Sequence, residues 1–135
     1  MKIFLLFLLT SGYFCSGSSA STTEECKVQQ VLLKEIIDDV TVIKGLQTSM
    51  IFVDHVLTPE HCTHENFCQA GAVLSEYKAE DLGLGEKDWR LPRKLVAYTR
   101  KTTCNVKAMD QKVEFRQLLH NIKQCAQKEY KKPCV

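Results

Sequence analysis

The 135-residue chain carries 18 lysines and arginines against 16 aspartates and glutamates, a formal net charge of +2. A balance that close excludes a general nucleic-acid binder, which would show a dominant basic excess. With 44% hydrophobic residues the chain can bury a core, and its length fits one small domain.

The N-terminus reads MKIFLLFLLTSGYFCSGSSAS. Lys2 supplies a positive n-region, Ile3 to Leu9 a compact apolar stretch, and Ser18-Ser19-Ala20 small residues for cleavage. This is the layout of a secretory signal peptide. A membrane anchor would need ~20 apolar residues, and Thr10, Ser11 and Gly12 interrupt the run too early. Residues 1–20 are therefore expected to be removed, with cleavage after Ala20 favoured over Gly17, leaving residues 21–135 as one secreted domain. Processing also removes Cys15. The remaining six cysteines, Cys26, Cys62, Cys68, Cys104, Cys125 and Cys134, read as a disulfide framework with fifteen possible pairings.

The chain holds no internal repeat, no low-complexity stretch and no domain linker. Helical periodicity first covers about Glu24 to Gly45, with Val28, Leu32, Ile36, Val40 and Ile43 on one stripe. Glu35, Asp38 and Asp39 lie off it. Met50 to Val56 follows, β-branched and apolar, and is more strand-like than helical. The second helix is expected from Thr63, a suitable N-cap, to Glu80, with Phe67, Ala70, Gly71, Leu74 and Tyr77 inward. The glycines of "DLGLGE" end it.

A third, shorter helix is expected within Asp88 to Lys101, with Leu91, Leu95 and Tyr98 inward and Pro92 in its first turn. The fourth runs from about Ala108 to Lys132, with Phe115, Leu118, Leu119, Ile122, Cys125 and Ala126 as its stripe. The long first connection and the polar segment 101–107 read as crossovers flanking a short middle turn. That is the up-up-down-down arrangement of helical cytokines. The predicted fold is thus all-α: a short-chain, disulfide-stapled four-helix bundle with two crossover loops, in which a small two-stranded β ribbon has a place.

The octapeptide "HCTHENFC" at 61–68 raises two chemical readings. His61, Cys62, His64 and Cys68 could serve as zinc ligands, but no CxxC or HxxxH spacing accompanies them. The stretch also resembles the catalytic helix of secreted phospholipases A2, yet His64 is followed by glutamate, Cys62 has no adjacent cysteine, and no calcium loop precedes it. His55 and His120 have no obvious partners. The octapeptide is better read as two disulfide halves beside surface histidines, with no metal, no cofactor and no enzymatic function.

Charge is the stronger signal. Arg90, Arg93, Lys94, Arg100 and Lys101 make the third segment basic, and Glu35, Asp38 and Asp39 make the first acidic. Side by side, the two would present a mixed-charge surface suited to steering a partner. The C-terminus, "CAQKEYKKPCV", adds Tyr130 among lysines, and tyrosine is favoured at binding hot spots.

Three stretches, in order, resemble the helices of interleukin-4 and interleukin-13: "LKEIIDDV" at 33–40, "ENFCQAGAVLSEY" at 65–77 and "FRQLLHNIKQCAQKEYKKPC" at 115–134. The resemblance implies a monomeric cytokine that bridges an interleukin-4 receptor alpha-like chain and a second chain. It would thereby trigger Janus-kinase-type signalling in type 2 immunity, without membrane insertion. It places first-chain contacts at Glu35, with Asp39, and at Arg93, with Arg90 and Lys94. It places second-chain contacts at Tyr130, Gln127 and Lys131. Gln127 stands where interleukin-4 has arginine, which leaves the common gamma chain and an interleukin-13 receptor alpha-like chain both open. The family's bridges correspond to Cys26–Cys134 and Cys68–Cys104, and the bundle geometry leaves Cys62–Cys125 reasonable. A secreted, disulfide-stapled carrier of a small apolar ligand is the alternative that the same cysteines and amphipathic helices allow.

Overall fold

The computed structural model describes residues 23–46, 50–105 and 111–134. The expected signal peptide and Cys15 lie outside these residues. The described chain is mostly helical. It comprises α1 (Thr23–Leu46), β1 (Phe52–Asp54), α2 (His64–Leu74), two single turns of 3-10 helix at Ala79–Leu82 and Glu86–Asp88, α3 (Leu91–Tyr98), β2 (Lys112–Glu114) and α4 (Phe115–Tyr130).

Residue pairs fix how the helices run. Lys44 near the end of α1 meets His120 in the second turn of α4, while Gln30 near its start reaches the carbonyls of Tyr130 and Lys132. The two helices are therefore antiparallel. α1 also runs antiparallel to α3, with Asp39 beside Lys94 and Glu25 beside Lys101. α2 opposes α3 in the same sense: His64 stacks on Tyr98, and Gly71 lies against Leu95 and Val96.

One continuous core fills the space between them. Leu33, Ile36, Val40 and Ile43 come from α1, Phe67, Ala70, Val73 and Leu74 from α2, Leu91, Leu95 and Tyr98 from α3, and Phe115, Leu118, Leu119, Ile122, Cys125 and Ala126 from α4. The expected stripes of α3 and α4 are thus buried, as is that of α2 apart from Tyr77, which lies beyond the helix and is half-buried. On α1 the expected stripe needs correction: Val28 is exposed, and Leu33 takes the buried position that the reading placed at Leu32.

Two helix boundaries also differ. The second helix stops at Leu74 rather than Glu80. Ser75 Oγ donates to the Gly71 carbonyl at 2.6 Å, Asp81 accepts from the Lys78 amide at 3.0 Å, and the Trp89 indole donates to the Tyr77 carbonyl at 3.0 Å. These side chains capture backbone groups that a longer helix would use, and such local capture competes with helix propagation. Gly83 then turns in the left-handed region at φ 71°, and the Leu84 amide reaches back to the Ala79 carbonyl. The middle connection is consequently a folded segment, not a short turn. α2 begins as expected, with Thr63 as N-cap, and Asn66 completes a reciprocal capping box.

The fourth helix begins at Phe115, because residues 112–114 form a strand instead; positions 108–110 of the expected helix lie outside the described residues. β1 and β2 pair antiparallel with Phe52 opposite Glu114, Val53 opposite Val113 and Asp54 opposite Lys112. Lys112 donates to Asp54 across the ribbon at 2.6 Å, and this bond holds the lysine above its ordinary pKa. The Phe115 amide donates to the Ile51 carbonyl at 2.9 Å, so the ribbon satisfies one of the amides that a helix start leaves open.

Three disulfides tie the ends. Cys26–Cys134 joins the start of α1 to the segment after α4, Cys62–Cys125 joins the approach to α2 to α4, and Cys68–Cys104 joins α2 to the segment after α3. Their Cα separations are 5.8, 5.4 and 6.1 Å, within the ordinary range for bridged cysteines. Among the described residues no helix is long and apolar enough to cross a membrane.

The close α2–α3 approach has a measurable consequence. A Cβ at Gly71 would sit 3.2 Å from the Leu95 Cβ, whereas one at Gly45 meets nothing within 4 Å. Gly71→Leu should therefore lose about 1–3 kcal/mol by overpacking. Gly45→Ala should gain about 0.4–1 kcal/mol by restricting the unfolded chain. Urea unfolding of both variants checks the contrast, and equal effects would contradict the packing described.

Candidate functional site

The contact residues expected from the resemblance divide between two surfaces. On the α1–α3 surface, Lys94 is drawn inward. Its ammonium lies 3.3 Å from Glu35 Oε1 and 3.0 Å from Asp39 Oδ2, and it donates to Asp39 Oδ1 at 3.2 Å. Only about a fifth of the Lys94 and Asp39 side chains is exposed (20% and 23%), against 46% for Glu35. Asp39 Oδ2 is itself buried and has no hydrogen-bond partner, so the nearby ammonium is what compensates its charge. Lys101 pairs with Glu25 one helical turn pair further along.

The mixed-charge surface read from the sequence therefore partly neutralises itself. Lys94 and Lys101 are held by α1 carboxylates, while Arg90 and Arg93 remain exposed and form no ion pair among the described residues. Arg93 also borders an open groove lined by Lys78, Ala79, Leu84 and Trp89. Trp89, whose ring packs on Phe115 at 5.8 Å between centroids, had no assigned role in the sequence reading.

On the other side of α1, Tyr130 (42% exposed) closes a shallow groove with Lys27, Gln30, Val31, Lys34, Glu35 and Asp38. Gln127 and Lys131 are exposed nearby on the same helix end. Glu35 thus lies between the two surfaces, touching Lys94 on one side and lining the Tyr130 groove on the other. Val31, 56% exposed, joins Tyr130 as the apolar content of this groove. Its sequence signal was a valine off the buried stripe of an otherwise amphipathic helix.

The histidine–cysteine octapeptide is taken apart by the fold. Cys62 and Cys68 are bonded to different partners. His61 Nδ1 sits 3.0 Å from Thr58 Oγ1, and His64 stacks on Tyr98 with centroids 4.7 Å apart. No group of three or more metal-ligating side chains occurs among the described residues. Burial holds the Tyr98 phenol well above its ordinary pKa, and the Glu129 charge adds to the shift.

Comparison of the chain with protein-family models, with curated proteins and with solved structures finds no match.

Two outcomes follow from these contacts. Lys94→Met should cost roughly 1–3 kcal/mol, because it strands a buried carboxylate oxygen. The double variant Lys94→Met/Asp39→Leu should recover most of that, since removing both partners spares the desolvation cost; thermal unfolding of the pair separates the two. Tyr98 stays protonated in the folded chain while an unfolded tyrosine ionises near pH ~10. Stability should be intact below that pH and fall as pH rises above it, because the unfolded state then releases a proton that the folded state keeps. Alkaline denaturation of Tyr98→Phe should lack this component.

Proposed function

We propose that the protein is a secreted helical cytokine of the interleukin-4/interleukin-13 type, built as an up-up-down-down four-helix bundle that bridges two receptor chains. The antiparallel pairs α1–α4, α1–α3 and α2–α3, with the two long connections paired as a ribbon, support that topology. Three disulfides in a small domain support an oxidising, extracellular setting.

The observation that carries the reading is the separation of the expected contacts into two exposed patches flanking α1. Exposed Arg93 and Arg90, together with Glu35 on α1, serve as the patch for an interleukin-4 receptor alpha-like chain. Tyr130, Gln127 and Lys131, with Val31 added by the structure, form the patch for the second chain. A bridging ligand needs two such faces at once, so that both chains can be held together. Asp39 and Lys94 serve in this scheme by fixing α3 on α1 and so setting the position of Arg93.

The reading is tested with residues 21–135, oxidised and folded, against the receptor alpha ectodomain of the same organism. Wild type should bind. Glu35→Arg/Arg93→Glu should weaken that complex by at least ~30-fold, as hot-spot losses of about 2 kcal/mol do. Tyr130→Ala should leave it intact and instead prevent recruitment of the second chain. A folded wild type that binds no such receptor chain would overturn the assignment.

A further inference from the structure

We propose that the turn after α3 is a processing site, at which an endoprotease of the secretory route specific for paired basic residues hydrolyses the Lys101–Thr102 bond. The product is a two-chain protein held together by disulfides. Water adds across the amide, leaving a carboxylate on Lys101 and an ammonium on Thr102. The inference rests on the secreted part of the functional reading and not on the receptor assignment.

Adjacent basic residues occur at three places in the chain, Arg93-Lys94, Arg100-Lys101 and Lys131-Lys132. The fold separates them. Such proteases take their substrate as an extended strand, so a bond within a helix is reached only when the helix opens. Arg93-Lys94 lies inside α3, where the Lys94 amide donates to the Arg90 carbonyl at 3.1 Å and the Lys94 ammonium is held 3.0 Å from Asp39. Lys131-Lys132 precedes Pro133, whose ring and missing N–H obstruct strand-like binding across the bond. The Lys132 ammonium also pairs with Glu129 at 2.9 Å. Arg100-Lys101 has neither protection. α3 ends at Tyr98, Arg100 and Lys101 are exposed, and residues 102–105 belong to no helix or strand. Exposed connecting segments of this kind are the preferred places for proteolytic nicking. Lys101 does pair with Glu25, but its side chain is 69% exposed, and surface pairs of that kind open readily.

The position of the bond makes the cut a conversion and not a dismantling. Residues up to 101 carry α1, β1, α2 and α3, and residues from 102 carry β2 and α4. Each of the three disulfides crosses that division: Cys26 to Cys134, Cys62 to Cys125 and Cys68 to Cys104. The ribbon crosses it too, and the buried stripe of α4 stays in the core it shares with the other helices. On the α3 side Lys94 keeps its contact with Asp39, and Leu91, Leu95 and Tyr98 remain buried, so Arg90 and Arg93 hold their place. Beyond the bond, the Cys104 bridge anchors the new amino terminus to α2, and the Gln69 side-chain amide donates to the Asn105 carbonyl at 3.2 Å. A cut at Arg93-Lys94 would instead divide α3 within its own turns. The bridges must therefore form before the protease acts, because an unfolded chain would offer that pair equally.

The test exposes the oxidised, folded chain 21–135 to a calcium-dependent serine endoprotease specific for paired basic residues and follows mass with and without reduction. The first product should be heavier by one water without reduction and should separate on reduction into 21–101 and 102–135. Arg100→Gln/Lys101→Gln should be cut at least ~100-fold more slowly, because a pocket built to pair a basic side chain rejects a neutral one. The map of wild-type cuts needs no variant to fold. Reduced and unfolded wild type should be cut at Arg93-Lys94 as well, and absence of that cut would remove the role assigned to the helix. A folded chain left intact, or cut first at Arg93-Lys94 or Lys131-Lys132, would overturn the site. Pieces that part without reduction would overturn the two-chain form. Receptor alpha binding of the uncut chain keeps the readings apart: a chain that binds receptor but resists the protease retains the functional reading and removes this one.

Discussion

The arrangement depends on the burial of one stripe of α1. Leu33, Ile36, Val40 and Ile43 are essentially inaccessible and belong to the one core cluster that holds side chains of all four helices. Full burial of each such side chain is worth ~1.5–3 kcal/mol, so the four together match a large part of the ~5–15 kcal/mol net stability of a typical domain. With that stripe inward, the two flanks of α1 are no longer free to choose their neighbours. One flank must carry the carboxylates toward α3, and the other must face α4.

Close packing alone would not hold a domain this small at its ends. The two long connections and the chain termini are where loop-closure entropy is largest. The disulfides fall there, spanning 108, 63 and 36 residues. In the chain-entropy picture each contributes ~3–5 kcal/mol by limiting the unfolded ensemble. The ribbon works at the same end of the problem: it pairs the two connections through Val53 and Val113 and hands its Ile51 carbonyl to the first amide of α4. Gln30 does the reciprocal job at the other end of α4 by donating to the Tyr130 and Lys132 carbonyls. α4 is therefore capped at both ends by parts of the chain remote in sequence, which explains why neither terminus shows a strong local capping signal.

That dependence on distant partners marks what was legible in the sequence. The stripes of α2, α3 and α4 could be read because their apolar residues alternate by three and four, keeping to one face. On α1 the reading linked Val28, Leu32, Ile36 and Val40 by steps of four. Each step of four turns about 40° past a full revolution, so the line drifts off the buried face and ends on exposed Val28. The end of α2 at Leu74 was not legible, because it is decided by Asp81 and Trp89 capturing backbone groups after the chain has turned. The start of α4 was missed for a related reason: Val113 is claimed by a strand partner sixty residues away. Among fifteen cysteine pairings, periodicity chose none. On the surface, residue type identified Arg93 and Tyr130, but only the fold shows that Lys94 is spent on Asp39 while Arg93 stays exposed.

The distribution of charge follows from the same constraint. Once α1 is seated, Glu25, Glu35 and Asp39 lie within reach of Lys101 and Lys94. Pairing them lowers the cost of bringing two charged helices together. A partly buried pair such as Lys94–Asp39 gains little net stability, since desolvation opposes the attraction, but it penalises any rotation of α3 that would leave the Asp39 carboxylate alone. Its effect is therefore on geometry: it sets which cations of α3 point outward. On the α4 side, Lys44 lies beside His120 and Arg116 donates to the Lys44 carbonyl, while Glu35 and Asp38 line the groove that Tyr130 closes. The charge distribution around α1 is thus one consequence of seating a single amphipathic helix, and it leaves two distinct outward faces. One presents exposed Arg90 and Arg93, and the other presents Tyr130 and Val31 among Lys27, Lys34, Glu35 and Asp38.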